Sequence, residues 1–269
     1  MLKVFVPSHK RPDAPLFKIA KGLNIVLQHE EDVEPYQKAN VNNHNIIYIP
    51  ELRGLLDARN WILDQPYEWI LMMDDDASEI KKYGNKNNYS KKKFNYIITW
   101  DEFIIDLKKL VLILEKNKIG LAGFKSYTTF NENNLYFIDD QNLYNITTIK
   151  FFRAYLMNKY LLKSKNFKFE GYPDDGENGQ KALCEDSDLL YWCSANSVKK
   201  AIINSHCPYY YEEQESTVWE THNYKKEMLR LAYIWLLNKY KDYPNIRKDI
   251  VQVLFYFHKD YYNERKRFR

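Results

Sequence analysis

The sequence predicts an α/β protein: a mixed, mainly parallel sheet flanked by helices, followed by a helical C-terminal extension. Three observations carry this. Short apolar runs alternate with helical patterns from the first residues onward. One run, Trp69-Ile70-Leu71-Met72-Met73, is apolar without a break and ends in Asp74-Asp75-Asp76. Beyond Glu220 the pattern is helical throughout. An unbroken apolar run suits a strand covered on both faces, as in a parallel sheet.

Length and composition are those of a folded domain. The 269 residues are 45% hydrophobic and 28% charged, enough apolar side chain to bury a substantial core. The net charge of +4 permits a polyanionic partner without requiring one. Cys184, Cys193 and Cys207 lack metal-ligand spacing and are odd in number, which fits reduced thiols. Met1 to Pro7 reads as a strand rather than a leader, and no apolar run approaches the ~20 residues that cross a bilayer. A soluble, cytoplasmic protein without membrane insertion is expected.

The elements follow in order. Lys3–Val6 is the first strand, and Pro7, Ser8, His9, Lys10, Arg11 and Pro12 form a cationic loop at its C-terminal end. Residues 16–21 make a short helix closed by Gly22; residues 24–28 and 46–49 supply two more strands. Leu55, Leu56, Ile62 and Leu63 give the next helix an apolar face, with Arg59 and Asn60 near its start. A guanidinium there can bind phosphate in a bidentate way.

The acidic strand end is the chemical centre. In an extended chain Asp74 and Asp76 face the same side, where two like charges repel unless a cation lies between them. Hard oxygen ligands suit Mg²⁺ or Mn²⁺ carrying a phosphorylated substrate; the bland alternative is a solvated acidic turn. Residues 79–95 then read as a basic loop containing Lys91, Lys92 and Lys93, positioned to meet an acceptor that carries phosphates, or merely solvated.

Thr99-Trp100-Asp101-Glu102 is a capping box before a helix with Phe103, Leu107, Leu110, Val111 and Leu114 at helical spacing. Gly120, Ala122 and Gly123 mark a strand that a ligand can approach closely. Residues 135–138 and 146–149 look like a hairpin. A loop over 171–177 precedes Glu185, Asp186 and Asp188 at a helix start, where the helix dipole stabilises carboxylates whatever else they do. Beside a bound phosphate one of them can take a proton from an attacking hydroxyl. A last strand, 201–208, carries His206.

Taken in order, the first loop, the Ala58-Arg59-Asn60 helix, the Asp74-Asp75-Asp76 strand end, the Glu185-Asp186-x-Asp188 segment and His206 resemble nucleotide-sugar-dependent glycosyltransferases of the GT-A fold over about residues 1 to 210. The Ser8-x-x-Arg11-Pro12 opening also resembles the phage glycosyltransferases that decorate hydroxymethylated pyrimidines in DNA. The resemblance implies a GT-A-like domain over residues 1–215, with 216–269 packed on it as a helical extension. It implies a nucleotide-sugar donor, UDP-linked by family frequency, bound by Pro7, Ser8, His9, Arg11, Arg59 and Asp75. Asp74, Asp76 and His206 would hold Mn²⁺ or Mg²⁺. Asp186, with Glu185 and Asp188 as alternatives, would be the base. Double-stranded DNA carrying 5-hydroxymethylcytosine is the implied acceptor, contacted by Lys91, Lys92 and Lys93; a polysaccharide or lipid-linked glycan is the alternative acceptor. The Asp74-x-Asp76-x-Ser78 pattern also fits a haloacid-dehalogenase-type phosphatase with Asp74 as nucleophile, and a sugar-nucleotide or nucleic-acid binding module would share several features.

Overall fold

The computed structural model describes residues 1–40, 42–83, 95–124, 135–138, 154–174, 181–203, 205–210 and 222–267. Its centre is a sheet built from β1 (Leu2–Pro7), β2 (Asn24–Leu27), β3 (Asn45–Tyr48), β4 (Trp69–Met73), β7 (Ile119–Phe124), β8 (Leu135–Ile138), β9 (Ala154–Asn158) and β12 (Lys199–Ile203). The order is β3-β2-β1-β4-β9-β7-β12-β8. Strands β1 to β4 run parallel, β7 pairs parallel with β12, and β9 runs antiparallel between β4 and β7. This is the mixed, mainly parallel sheet flanked by helices that the sequence predicts.

Both faces are covered, as the unbroken run at 69–73 requires. Val4, Val6, Trp69, Leu71 and Met73 turn to one face and meet α1 (Pro15–Ile19), α2 (Glu30–Ala39) and α4 (Trp100–Lys116). Phe5, Ile70 and Met72 turn to the other and join Ile62 of α3 (Leu55–Asp64), Leu189 and Tyr191 of α6 (Glu185–Ala195), and Leu236 and Ile250 of the C-terminal helices α7 (His222–Lys239) and α8 (Pro244–Arg267). Alternation within a strand thus divides one sheet between two apolar cores.

Local chemistry sets the element ends. The Thr99 hydroxyl accepts the Glu102 amide while the Glu102 carboxylate accepts the Thr99 amide, the reciprocal cap expected from sequence. Gly54 begins α3 at φ 130°, a conformation a side chain would disfavour. The sequence reading lacked α2, where Pro35 interrupts the helical pattern and the first turn holds Glu30, Glu31 and Asp32.

Three expectations change. Residues 79–83 are no loop: they belong to β5 (Ala77–Tyr83), which pairs with β13 (His206–Tyr210) and β6 (Asn95–Ile98) in a second sheet. Residues 172–174 likewise form β10 (Tyr172–Asp174), paired with β11 (Lys181–Leu183). Gly120 admits a neighbouring side chain, not a ligand: a Cβ there would collide with Val198 Cγ1. The α5 helix (Lys159–Lys163) follows β9 at the sheet edge opposite the acidic turn. β8 pairs with β12, and its expected hairpin partner at 146–149 lies outside the described residues.

Candidate active site

The acidic turn sits where β4 leaves the sheet. Met73 is buried, Asp74 is half-buried, and Asp75 and Asp76 turn the chain into β5. Asp75 and Asp74 face different surroundings.

Asp75 points inward to the first loop. The Ser8 hydroxyl donates to its Oδ2, and Arg11 Nη1 donates to its Oδ1 at 2.7 Å. Since the Ser8 proton is spent on Asp75, the Tyr36 hydroxyl donates to Ser8 Oγ at 2.6 Å and accepts from the Arg11 amide at 3.0 Å. A chain of hydrogen bonds therefore runs from Arg11 through Tyr36 and Ser8 to Asp75. Burial raises the Asp75 carboxyl above its usual range although Ser8 and Arg11 oppose this, and burial pushes Tyr36 up to about 12. Asp32, one turn before Tyr36 on α2, binds His9 Nδ1 at 2.7 Å, and the exposed His9 ring lies against His29 with centroids 4.4 Å apart and planes tilted by 41°. Asp32 and Tyr36 were missed because the helix carrying them was missed. Their four-residue spacing on one helix face was the available signal.

Asp74 faces Arg59, which is no surface arginine: it is 3% exposed. Its Nη1 donates to Glu185 Oε1 at 2.6 Å and to Asp186 Oδ1 at 2.9 Å, and its Nη2 lies 3.8 Å from Asp74 Oδ1. The guanidinium rests against the rings of Tyr155 and Phe169, at 5.6 and 6.0 Å. Burial disfavours the Arg59 charge, but Tyr155, Asp186, Glu185 and Asp74 together hold its proton more tightly than usual. Burial also drives the Asp186 carboxyl well above the carboxylate range; Arg59 pulls it down, while Glu185 and Asp74 push it further up. One cation thus faces three carboxylates from β4 and α6 at the ligand-binding edge of the sheet.

A divalent metal fits this donor set in a particular way. Asp74 and Asp76 offer hard oxygens, and the Asp74 side chain keeps 38% of its surface exposed. Among the described residues no three His, Cys, Asp or Glu side chains come together to hold a metal by themselves. A cation held by Asp74 and Asp76 would need water or substrate phosphate to complete its shell, as is common for Mg²⁺.

Two expected site residues are placed elsewhere. His206 opens β13 opposite Lys82, whereas Ala77, next to the acidic turn, pairs with Tyr210. At a rise of ~3.3 Å per residue this puts His206 about 15 Å along the strand, too far to share a metal with Asp74 and Asp76. Its ring is already occupied: Nε2 meets Asp106 at 3.2 Å and Nδ1 meets the Ser205 hydroxyl at 2.9 Å. Asp188 is 1% exposed and turned from Arg59, receiving hydrogen bonds from Lys239 Nζ at 2.8 Å and the Tyr240 hydroxyl at 2.7 Å. Lys91, Lys92 and Lys93 lie outside the described residues. No helix among those described is long and apolar enough to cross a membrane.

Comparison with known proteins adds the following. S. aureus TarS is similar at 15% identity and TM-score 0.43, over 88% of this chain; the chain spans 40% of TarS. A 4-diphosphocytidyl-2C-methyl-D-erythritol synthase from Anaerococcus prevotii is similar at 11% identity and TM-score 0.40, over 88% of this chain and 98% of that one. No curated protein matches. Residues 2–178, from β1 to just beyond β10 and including Arg59 and the acidic turn, match the family model described as TET-associated glycosyltransferase. The chain therefore belongs to the TET-associated glycosyltransferase family and is a glycosyltransferase.

Proposed function

We propose that this glycosyltransferase is metal-dependent and moves a sugar, glucose or a similar hexose or pentose, from a UDP-linked donor to the hydroxymethyl group of 5-hydroxymethylcytosine or a related pyrimidine in double-stranded DNA. The observation that carries the reading is the meeting of Asp74, Glu185 and Asp186 around buried Arg59 at the strand-end edge of the sheet. It joins the donor side of the site to a set of proton-accepting carboxylates on the acceptor side. The resemblance to phage enzymes acting on hydroxymethylated pyrimidines, and the family's association with TET, support a modified base as acceptor.

The roles divide accordingly. Asp74 and Asp76 hold Mn²⁺ or Mg²⁺, which when bound neutralises charge on the leaving diphosphate. The loop carrying Ser8, His9 and Arg11, braced by Asp75 and Tyr36, shapes the nucleotide side. Asp186 accepts the proton of the acceptor hydroxyl as its oxygen bonds to the anomeric carbon and the bond from that carbon to the diphosphate oxygen breaks. The electron pair leaves with the nucleoside diphosphate, and this single displacement inverts the anomeric centre. A carboxylate with raised proton affinity is suited to that task at neutral pH. Arg59 is the positioning cation: it fixes Glu185 and Asp186 and offsets part of their charge.

The test is a donor screen with Mn²⁺ or Mg²⁺, a panel of nucleotide sugars, and mass spectrometry of DNA containing 5-hydroxymethylcytosine. A sugar mass on the modified base, lost in chelator and in Asp74→Ala and Asp76→Ala, is the expected result. Donor hydrolysis without DNA product would move the acceptor to a polysaccharide or lipid-linked glycan, and turnover that persists in chelator would remove the metal.

A further inference from the structure

The family match ends at residue 178, before α6 supplies Glu185 and Asp186, so what holds that helix must be read from its own contacts. Its start is strained: Cys184, at the N-cap, has φ 61°, and no side chain caps the first turn. Carboxylates at positions 185, 186 and 188 crowd that turn. The helix N-terminus favours negative charge, but the direction in which each carboxylate points must be enforced from outside.

Helix geometry separates the two aspartates. At roughly 100° per residue, Asp186 and Asp188 lie about 200° apart around α6, so that one faces Arg59 and the other faces away. The far side is gripped by hydrogen bonds, most of them buried, that join α6 to the C-terminal helices and to Tyr240 between them. Besides the Lys239 and Tyr240 bonds to Asp188, Ser187 meets the Tyr233 hydroxyl at 3.1 Å and Tyr191 donates to Asp249 at 2.6 Å. Lys239 also binds Glu170 at 2.7 Å, just ahead of β10, and packs over Trp235 with its ammonium 5.0 Å from the ring centre.

We propose that Lys239 and Tyr240 are positioning residues for the acceptor-side carboxylates: by holding Asp188 they fix the rotation of α6 that keeps Glu185 and Asp186 on Arg59. The C-terminal helices then act as part of the catalytic frame, the outer half of a clamp whose inner half is Arg59. Loss of the outer grip lets the strained first turn rotate, which moves the proton acceptor without touching the donor site. This inference rests on the reading of Asp186 as base, and its test includes a measurement that needs no turnover.

Lys239→Met, Tyr240→Phe, Lys239→Arg and the double variant Asp188→Asn with Lys239→Met are made in the full chain. The double variant removes the ion pair without stranding a buried carboxylate, which protects folding. Amide hydrogen exchange is followed over residues 184–192. Sugar transfer is followed with UDP-glucose, Mn²⁺ and DNA containing 5-hydroxymethylcytosine, and donor affinity by titration with UDP and Mn²⁺. In Lys239→Met and the double variant, exchange in the first turn of α6 rises at least tenfold. In the same two variants kcat per folded molecule falls tenfold or more while UDP affinity stays within twofold. Tyr240→Phe shows the same pattern more weakly, and Lys239→Arg keeps at least half of kcat. Unchanged exchange, or a loss of activity that follows only the folded fraction, overturns the proposal. If exchange rises as stated but Asp186→Asn still transfers sugar at the wild-type rate, the coupling stands and the assignment of the base falls.

Discussion

Arg59 is the residue whose loss should be felt most widely, and Arg59→Met is the perturbation that measures it. Methionine fills much of the same space between Tyr155 and Phe169 but brings no charge. The variant loses charge-assisted hydrogen bonds at 2.6 and 2.9 Å and the weaker approach to Asp74 at 3.8 Å. Glu185 and Asp186 are left facing each other without their shared cation. Breaking a buried pair by removing one partner costs about 3–5 kcal/mol, because the remaining charge stays desolvated. With a shift of roughly 2–4 °C per kcal/mol in a domain of this order of size, melting should fall by about 6–20 °C.

The sign with pH is fixed by the same argument. Burial already raises the Asp186 carboxyl above its unfolded value and Arg59 is what pulls it down, so without Arg59 the folded state gains by binding a proton there. The penalty is therefore small where that carboxyl is protonated and grows as pH rises through the raised folded pKa. Thermal unfolding followed by circular dichroism in chelator, at pH 5 and pH 8 and one scan rate, should show the larger deficit at pH 8. Adding Glu185→Gln and Asp186→Asn should restore most of it. A variant melting within 1 °C of wild type at both pH values would mean that the cluster contributes nothing, and the site would have to be built without it.

Three further outcomes are expected. Gly120→Ala drives a methyl into Val198 Cγ1 and should destabilise by about 1–3 kcal/mol in urea unfolding, with Val198→Ala relieving the clash; equal stability would show that the strand moves freely away. Tyr36→Phe removes the hydroxyl that links Arg11 to Ser8, at roughly 1 kcal/mol per hydrogen bond, and should raise KM for the donor more than it lowers kcat. His206 is held neutral by burial, with its pKa below the usual histidine value despite Asp106, so its contribution to stability is complete above about pH 6.5 and is lost as pH falls through the lowered folded value. His206→Phe should flatten wild-type stability between pH 7 and pH 5, and an unchanged slope would assign that slope to other groups.

The expected chemistry lay where apolar pattern and charge met in one stretch. Trp69 to Asp76 is both a doubly buried strand and an acidic turn, and period and charge along a chain are local properties that need no fold to be seen. The same holds for the capping box at Thr99 and for the parallel strands of the first half. The partners of those carboxylates were not legible. Asp74, Asp75, Glu185 and Asp188 look alike in sequence, yet one faces Arg59 and solvent, one is locked to Ser8 and Arg11, one is paired beneath Arg59, and one is held by Lys239 and Tyr240. Arg59 and Glu185 are 126 residues apart, and their contact arises only because α3 and α6 pack on the same face of the sheet. His206 shows the converse: its place at a strand end suggested a metal ligand, but register along β5 and β13 carries it away from the acidic turn. Sequence alone determined the strands β1 to β4 and β7 and where the acidic edge lies, because hydrophobic period and turn chemistry act between near neighbours; it did not show β9, which lies between β4 and β7, or the division of residues 201–208 between two sheets. Only the tertiary structure decided which acid faces which cation, because that depends on how separate elements are rotated and registered when their apolar faces close on the sheet.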